Sequence, residues 1–428
     1  MSDSEQDDIE TPTASSEPMP QESAQIEVKL FSSLPERFQV PSDKMVVPGS
    51  LNRVDLSEIV NESISLEKRI PFDFIIGGEF LRGSLSSHCL ERGILSEKTL
   101  EIEYVIAMEE PSTSDLTLPQ SDWISGISHG TDVFFTCSMD GVLSKYESVN
   151  GKLMGSSQQS ALPLTGVALS ESGVVTTSCR DGMIRFASSD SLELIEIGKI
   201  ESSLTCLSLC AWDNSLVLTG SVDGSVHLWN VPLPSAAKPS KSRKRTIDET
   251  VSFRSNLCKL DSSVCGISWM SLSRAIATSQ DGSVRVFDPM SGDLMPTISI
   301  PRNISAMACM GDRKLVTGHP DGRIIFWSMR FDGSDSCSIE AVNSCRSHSR
   351  LISSLASRPD SEFMVASACL DGTVKLFDSR ASHFAIQSVS LPQSERALVV
   401  AWISPNKFLS AGSDCLVRCH DIEIKLAD

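Results

Sequence analysis

An Asp-Gly corner set between alternating apolar residues recurs along most of this chain. A corner repeated at near-constant spacing restricts the fold more than any other feature of the sequence. The clearest copy runs from Ala366 to Asp378, ASACLDGTVKLFD. Apolar alternation leads into Asp371-Gly372, a second alternating run leaves it, and an aromatic-acid pair closes it, the pattern of two short antiparallel strands around a tight turn. The corner returns with Asp140, Asp181, Asp223, Asp281, Asp321 and Asp371, each followed by Gly, and in degraded form at Asp414-Cys415. Successive spacings are 41, 42, 58, 40, 50 and 43 residues. These aspartates read as turn residues, because a short carboxylate can bond its own backbone two residues on.

A strand-rich unit repeating every 40 to 45 residues or so resembles the blade of a WD40 propeller, and the corners predict seven such blades. Each corner is followed by an alternating strand, as in Val226-His227-Leu228-Trp229, Val284-Arg285-Val286-Phe287, Ile324-Ile325-Phe326-Trp327 and Val374-Lys375-Leu376-Phe377. The closing aromatic is expected to pack in the blade core. Upstream runs at 203–210, 263–269 and 352–357 supply inner strands. WD repeats usually carry a Gly-His pair before that strand. Here Ser347-His348 stands at a suitable place, 23 residues before Asp371, and the other blades are expected to have incomplete hydrogen-bond tetrads.

The 58-residue spacing contains VPLPSAAKPSKSRKRTIDET, which is too rich in Pro, Ser and basic residues for blade strand and reads as a loop insertion over 231–250. Its core, 238–245, holds five basic residues in eight: Lys238, Lys241, Arg243, Lys244 and Arg245. In so acidic a chain this run reads as a nuclear-import signal. After the last corner too little sequence remains for another pair of strands. Closing the ring therefore calls for a strand from the linker that precedes the first blade, to complete the last one, since an open sheet edge invites aggregation.

The 428 residues suit two units, and the formal charge of −18 argues against broad nucleic-acid binding, which needs clustered Lys and Arg. No sequence-specific nucleic-acid contact and no membrane span are expected, because no apolar run reaches 18 residues and the N-terminus is acidic rather than signal-like. Thirteen cysteines without a CxxC pair read as small buried residues in a reducing compartment, including the four-apart pairs Cys206/Cys210 and Cys415/Cys419.

Residues 1–24 carry seven acids and no base among Ser, Pro, Thr and Gln, the composition of a disordered tail. Order is expected from 25. IEVKLFS (26–32) alternates as a strand and FQVPSDKMVVPG (38–49) continues with strand character. LNRVDLSEIVNESI (51–64) has helical spacing, with Leu51, Val54 and Ile59 on its apolar face and Asn52 or Asp55 as cap. PFDFIIGGEFL (71–81) turns at Gly77-Gly78, and TLEIEYV (99–105) alternates after a short helical piece. This order is that of a β-grasp, ubiquitin-like domain over 25–106, followed by a linker at 107–120 and a propeller at 121–428.

The runs VPGSLNRVDLSEIVN (47–61), PFDFIIGGEFLRGSL (71–85), TLEIEYV and DWISGIS (122–128) resemble the Ytm/WDR ribosome-maturation family, a cousin of Notchless. The resemblance covers residues 26–428. It implies a nucleolar and nucleoplasmic scaffold for maturation of the large (60S) subunit and pre-rRNA processing. It further implies binding to a Bop-type propeller protein and Pescadillo, and removal from the pre-60S particle by the AAA ATPase midasin. In that family an acid in the loop before the last grasp strand completes the metal site of midasin, and the matching position is Glu97. The Mg²⁺ belongs to the partner, whose octahedral oxygen shell accepts a carboxylate in place of water. The chain itself is expected to need no cofactor. Glu79, after a hairpin turn, and Glu101, within a strand, are the rival acids.

No phosphate-binding loop, HExxH helix or GxSxG elbow occurs, and the seven histidines form no cluster in sequence, so a non-enzyme is expected. Another reading of the same fold is a ubiquitin-pathway adaptor or substrate receptor.

Overall fold

The computed structural model describes residues 25–41, 43–64, 69–94, 99–108, 110–117, 120–232, 253–332, 336–381, 385–391 and 395–422. These divide into two compact units at Ala107/Met108. Among the described residues no helix is long and apolar enough to cross a membrane.

In the first unit β1 (Gln25–Phe31), β2 (Lys44–Pro48), α1 (Arg53–Ile64), β3 (Phe72–Ile76), β4 (Glu79–Phe80), α2 (Leu85–Arg92) and β5 (Leu100–Ile106) build one sheet in the order β2-β1-β5-β3-β4. β1 and β5 run parallel at its centre, with Val28 opposite Leu100 and Leu30 opposite Ile102. The alternation read in the sequence places Ile26, Val28, Leu30, Leu100, Ile102 and Tyr104 in the core. α1 starts with a reciprocal cap. Asn52 Oδ1 accepts from Val54 N at 2.8 Å, and Asp55 Oδ2 accepts from Asn52 N at 2.9 Å, so both candidate caps act together. The buried face of α1 is Leu56 and Val60, whereas Val54 is exposed, because the helix begins two residues after Leu51 and its periodicity runs from Leu56. The first half of 38–49 is not strand. It follows a 3-10 turn at Glu36–Phe38 whose backbone is pinned by Tyr104, which donates its hydroxyl to Phe38 O and accepts from Val40 N, both at 2.8 Å.

In the second unit the described residues form seven four-stranded antiparallel sheets. The first strands of successive sheets begin at Ile124, Leu164, Leu204, Val264, Ala306, Ile352 and Ala397; each packs on the next, and the last packs on the first. This is the arrangement of a β-propeller. A recurring hydroxyl helps to set it. Ser125, Thr205, Ser305 and Ser353 each donate to a carbonyl in the neighbouring sheet, of Leu164, Val264, Ile352 and Ala397, at 2.6 to 2.7 Å. Each hydroxyl also lies 3.1 Å from a carbonyl of its own sheet's second strand, so one side chain ties three strands.

The segment read as a linker contains β6 (Ser112–Asp115), the outer strand of the seventh sheet, paired antiparallel with Val417–Asp421. Residues 107–120 are therefore only partly a connection, and the upstream strand that closure required is found there. The closing aromatics Trp229, Phe287 and Phe377 are buried, but in the fifth sheet Phe326 takes the core position and Trp327 is only half-buried. The 50-residue spacing in that sheet comes from a long hairpin, Arg323–Asp332 against Ser336–Arg346.

Candidate docking site

Every corner aspartate makes the same turn. Its carboxylate accepts from the N–H two residues on, at 2.8 to 3.3 Å, at Asp140, Asp181, Asp223, Asp281, Asp321, Asp371 and Asp414. At Asp223 burial pushes the carboxyl up. Hydrogen bonds from the Ser221 and Ser225 hydroxyls and the Ser225 N–H outweigh it and hold the pKa at about 2. These are carboxylates saturated by turn donors in separate sheets, and no two of them converge as an acid/base pair would.

His348 lies where the sequence pattern put it, fully buried. Its ring nitrogens meet Thr373 Oγ1 at 2.9 Å and Ser367 Oγ at 2.6 Å, with Asp371 Oδ2 3.4 Å away. Ligand-type atoms of His348, Cys369 and Asp371 fall within 4.8 Å of one another. Each is already committed: Cys369 Sγ donates to Arg350 O, and Asp371 accepts from Ser349 N and Thr373 N. The cluster reads as the hydrogen-bonded interior of one sheet.

Two further buried histidines were not legible in the corner pattern. His319 spans Thr317 Oγ1 and Asn303 O at 2.9 and 2.8 Å. His420 spans Ser410 Oγ at 2.7 Å and, in the closure strand β6, Thr113 Oγ1 at 2.9 Å. Because His420 follows its corner, on the third strand of its sheet, the usual His-before-strand pattern misses it. Burial, reinforced by Arg418, lowers its pKa to about 4. The folded value lies below the unfolded value near 6.5, so this stability is fully present above about pH 6.5 and is lost as pH falls toward 4, up to about 3 kcal/mol. Urea midpoints of the wild type should drop across that window more steeply than those of His420→Gln. Equal slopes would remove His420 as the cause.

On the first unit, an open groove of about 470 Å³ is lined by Phe31, Ile75, Ile76, Gly77-Gly78 and Ile94, with Glu101 and Glu103 at its rim. Ile94 and Thr99 flank residues 95–98, so Glu97 itself lies outside the described residues. Phe31 is 42% exposed, and Gly77 and Gly78 have positive φ with no atom within 4 Å of an added Cβ, which leaves that hairpin tip open. The rival acids have basic neighbours: Glu79 pairs with Arg92, and Glu101 lies 4.0 Å from Lys29. On the other side of the gap, Lys44 Nζ donates to Thr99 Oγ1 at 2.8 Å, and Thr99 donates to Glu27. These contacts anchor the strand that leaves 95–98. The basic run Lys238, Lys241, Arg243, Lys244 and Arg245 also lies outside the described residues, between Pro232 and Phe253.

The thirteen cysteines are all free thiols. At Cys137, Cys265 and Cys309 burial pushes the thiol up to about 12, which makes them inert packing residues.

Residues 26–89 match the family described as NLE (NUC135) domain, and residues 195–230 and 339–378 match the WD domain, G-beta repeat. The ribosome biogenesis protein YTM1 of Vanderwaltozyma polyspora is 26% identical, over 94% of this chain and 98% of the relative. YTM1 of Saccharomyces cerevisiae and the ribosome biogenesis protein WDR12 homolog of Chlamydomonas reinhardtii are also 26% identical, with the same coverage of both chains. This chain joins an NLE domain to WD repeats in a mainly β architecture, and along nearly its whole length it is similar to the proteins named YTM1 and WDR12.

Proposed function

We propose that this chain is a non-enzymatic ribosome biogenesis factor that acts in maturation of the large subunit. The similarity to YTM1 and WDR12 proteins carries the reading, because it spans 94% of the chain and so takes in both units rather than a propeller alone. The ring serves as the scaffold that binds a Bop-type propeller protein and, with it, Pescadillo on the pre-60S particle. The first unit serves as the docking head for midasin. Glu97 supplies a carboxylate to the Mg²⁺ of that partner, and the apolar groove bounded by Phe31, Ile76 and Ile94 supplies further contact area on the same unit. A hard cation held by one partner carboxylate gives a short, directional link through which an ATPase can pull. The basic run at 238–245 serves nuclear import, and residence is nucleolar and nucleoplasmic.

Affinity purification of the tagged full chain tests this. Bop and Pescadillo homologues with pre-ribosomal RNA are expected in the wild type. Glu97→Ala is expected to lose midasin at least tenfold while retaining the other two. Recovery of cullin or proteasome subunits instead would establish the ubiquitin-adaptor reading, and full retention of midasin by Glu97→Ala would remove Glu97 from the contact.

A further inference from the structure

At the corner end of the fifth sheet arginines outnumber the acid they surround. Arg302 Nη1 lies 3.3 Å from Asp321 Oδ2, and Arg323 Nε lies 3.7 Å from the same oxygen. Arg346 Nε donates to the backbone carbonyl of Asp321 at 3.2 Å. Two guanidinium groups thus face one carboxylate, and a third, that of Arg346, sits on the backbone carbonyl of the same residue. Arg323 Nε is buried without a hydrogen-bond acceptor, so the single acid does not satisfy even its nearest neighbours. A fourth arginine, Arg350, lies on the adjoining loop. A Cβ on Gly322 would stand 2.2 Å from His348 O and 3.1 Å from Arg350 O, which places the Arg350 backbone against this corner. Arg346 and Arg350 are exposed, and among the described residues neither has a carboxylate within 4.0 Å.

No other corner has this balance. Among the described residues Asp181, Asp223 and Asp414 each have one basic partner, Arg185, Lys259 and Arg418, and Asp140 and Asp281 have none. The flanking acids are already occupied: Asp281 by Ser279 and Ser283 N, and Asp371 by Ser349 and Thr373. Burial lowers the pKa of His319 beneath the same corner, and Arg302 and Arg323 push it the same way. A surplus of guanidinium in a chain of net charge −18 is a local feature with a cost, since like charges held together repel.

We propose that this rim, with Arg302, Arg346 and Arg350 around Asp321, is a contact site for the phosphodiester backbone of RNA. Guanidinium forks match phosphate oxygens. Here they come from three separate segments: the loop before the sheet, its outer strand end and the loop after it. That spread suits a run of phosphates better than one compact anion. Recognition through phosphates alone is independent of sequence and steep in salt. The surplus of charge stands on the geometry, whereas the choice of RNA among polyanions rests on the function proposed above.

The test is fluorescence anisotropy of the purified full chain with a fluorescein-labelled 20-nucleotide RNA, single-stranded and as a duplex. If three phosphates of a single strand are neutralised, affinity should fall about 20-fold between 50 and 200 mM KCl. The triple variant Arg302→Ala, Arg346→Ala, Arg350→Ala should bind weakly and lose most of that salt slope. Arg350→Glu alone, which removes no ion pair among the described residues, should weaken binding several-fold and covers the case where the triple variant is unstable. Lys241→Ala, Arg243→Ala, Lys244→Ala, Arg245→Ala should retain the slope. Wild-type binding in both rim variants, loss of binding only in the 241–245 variant, or tighter binding of a labelled polyglutamate peptide than of RNA would overturn the site. Copurification separates the two ideas. A chain that brings down Bop and Pescadillo homologues but binds no RNA at this rim sinks the contact alone. One that binds RNA here but copurifies with no ribosomal component sinks the function alone.

Discussion

Alanine at Gly224 is expected to cost about 3 kcal/mol or more of stability, against about 1 kcal/mol for alanine at Gly292. Both glycines have positive φ, +87° and +80°. They differ in what surrounds them. A Cβ at Gly224 would stand 2.1 Å from Leu260 O and 2.9 Å from Ser262 O, both backbone, whereas at Gly292 nothing lies within 4 Å. Gly292→Ala therefore reports backbone strain alone, and Gly224→Ala reports strain plus collision with a carbonyl that cannot rotate away. That carbonyl belongs to the segment leaving the outer strand, which is held down by Leu260 N donating to Gly224 O at 2.9 Å. Moving it would loosen the passage from the third sheet to the fourth. Urea or thermal unfolding of the two variants measures the difference; equal losses would mean that the close approach carries no energy.

This explains why the corner was so legible in the sequence. Asp supplies the acceptor for the N–H two residues on, and Gly supplies both the left-handed φ, 79° to 97° at six corners, and the room for a crossing carbonyl. Two independent demands fall on adjacent positions, so the pair survives where the rest of the repeat has drifted. The seventh corner tolerates Cys415 at φ 61°, still with Leu416 N donating to Asp414, which is why its wording degraded while its turn did not. The strand order of the first unit was legible for a similar reason: its central strands alternate strictly because one face is buried.

Other features carry no such local grammar. The hydroxyls that join neighbouring sheets, Ser125, Thr205, Ser305 and Ser353, are replaced by Cys265 in the fourth sheet and Leu398 in the seventh, so no residue type marks the position. His420 was hidden because its partner Thr113 is 307 residues away, on the closure strand. The arginines of the fifth corner are spread over 302–350, and no window of sequence shows them gathered at one turn. Charge counted along the chain pointed instead to 238–245, where the density is linear.

The seam between β6 and the seventh sheet should respond strongly to a single substitution, Ser114→Cys. Ser114 lies directly opposite the native Cys419 in the antiparallel register. Opposed residues of such a pair have Cα atoms about 4.5 to 5.5 Å apart, within the range a disulfide spans. The bond would close a loop of about 300 residues, and the entropy removed from the unfolded chain sets an upper value of about 6 kcal/mol. The oxidised variant should unfold at a clearly higher urea concentration, with the gain abolished by reductant or by Cys419→Ser in the same background. Burial raises the Cys419 thiol above its ordinary value, so the bond should be formed at alkaline pH. The gain should be large because the seam is short. Four exposed residues hold it, reinforced by Arg418 against Asp115 at 2.9 Å, Thr113 against His420 at 2.9 Å and Val417 N donating to Thr117 Oγ1 at 3.1 Å. The same strand follows Ala107 by only a few residues of chain, so a pull on the first unit, as proposed for midasin, would reach the ring through its closure. An oxidised variant with a verified bond but an unchanged midpoint would show that unfolding does not pass through this seam, and the path of force would have to be sought elsewhere in the ring.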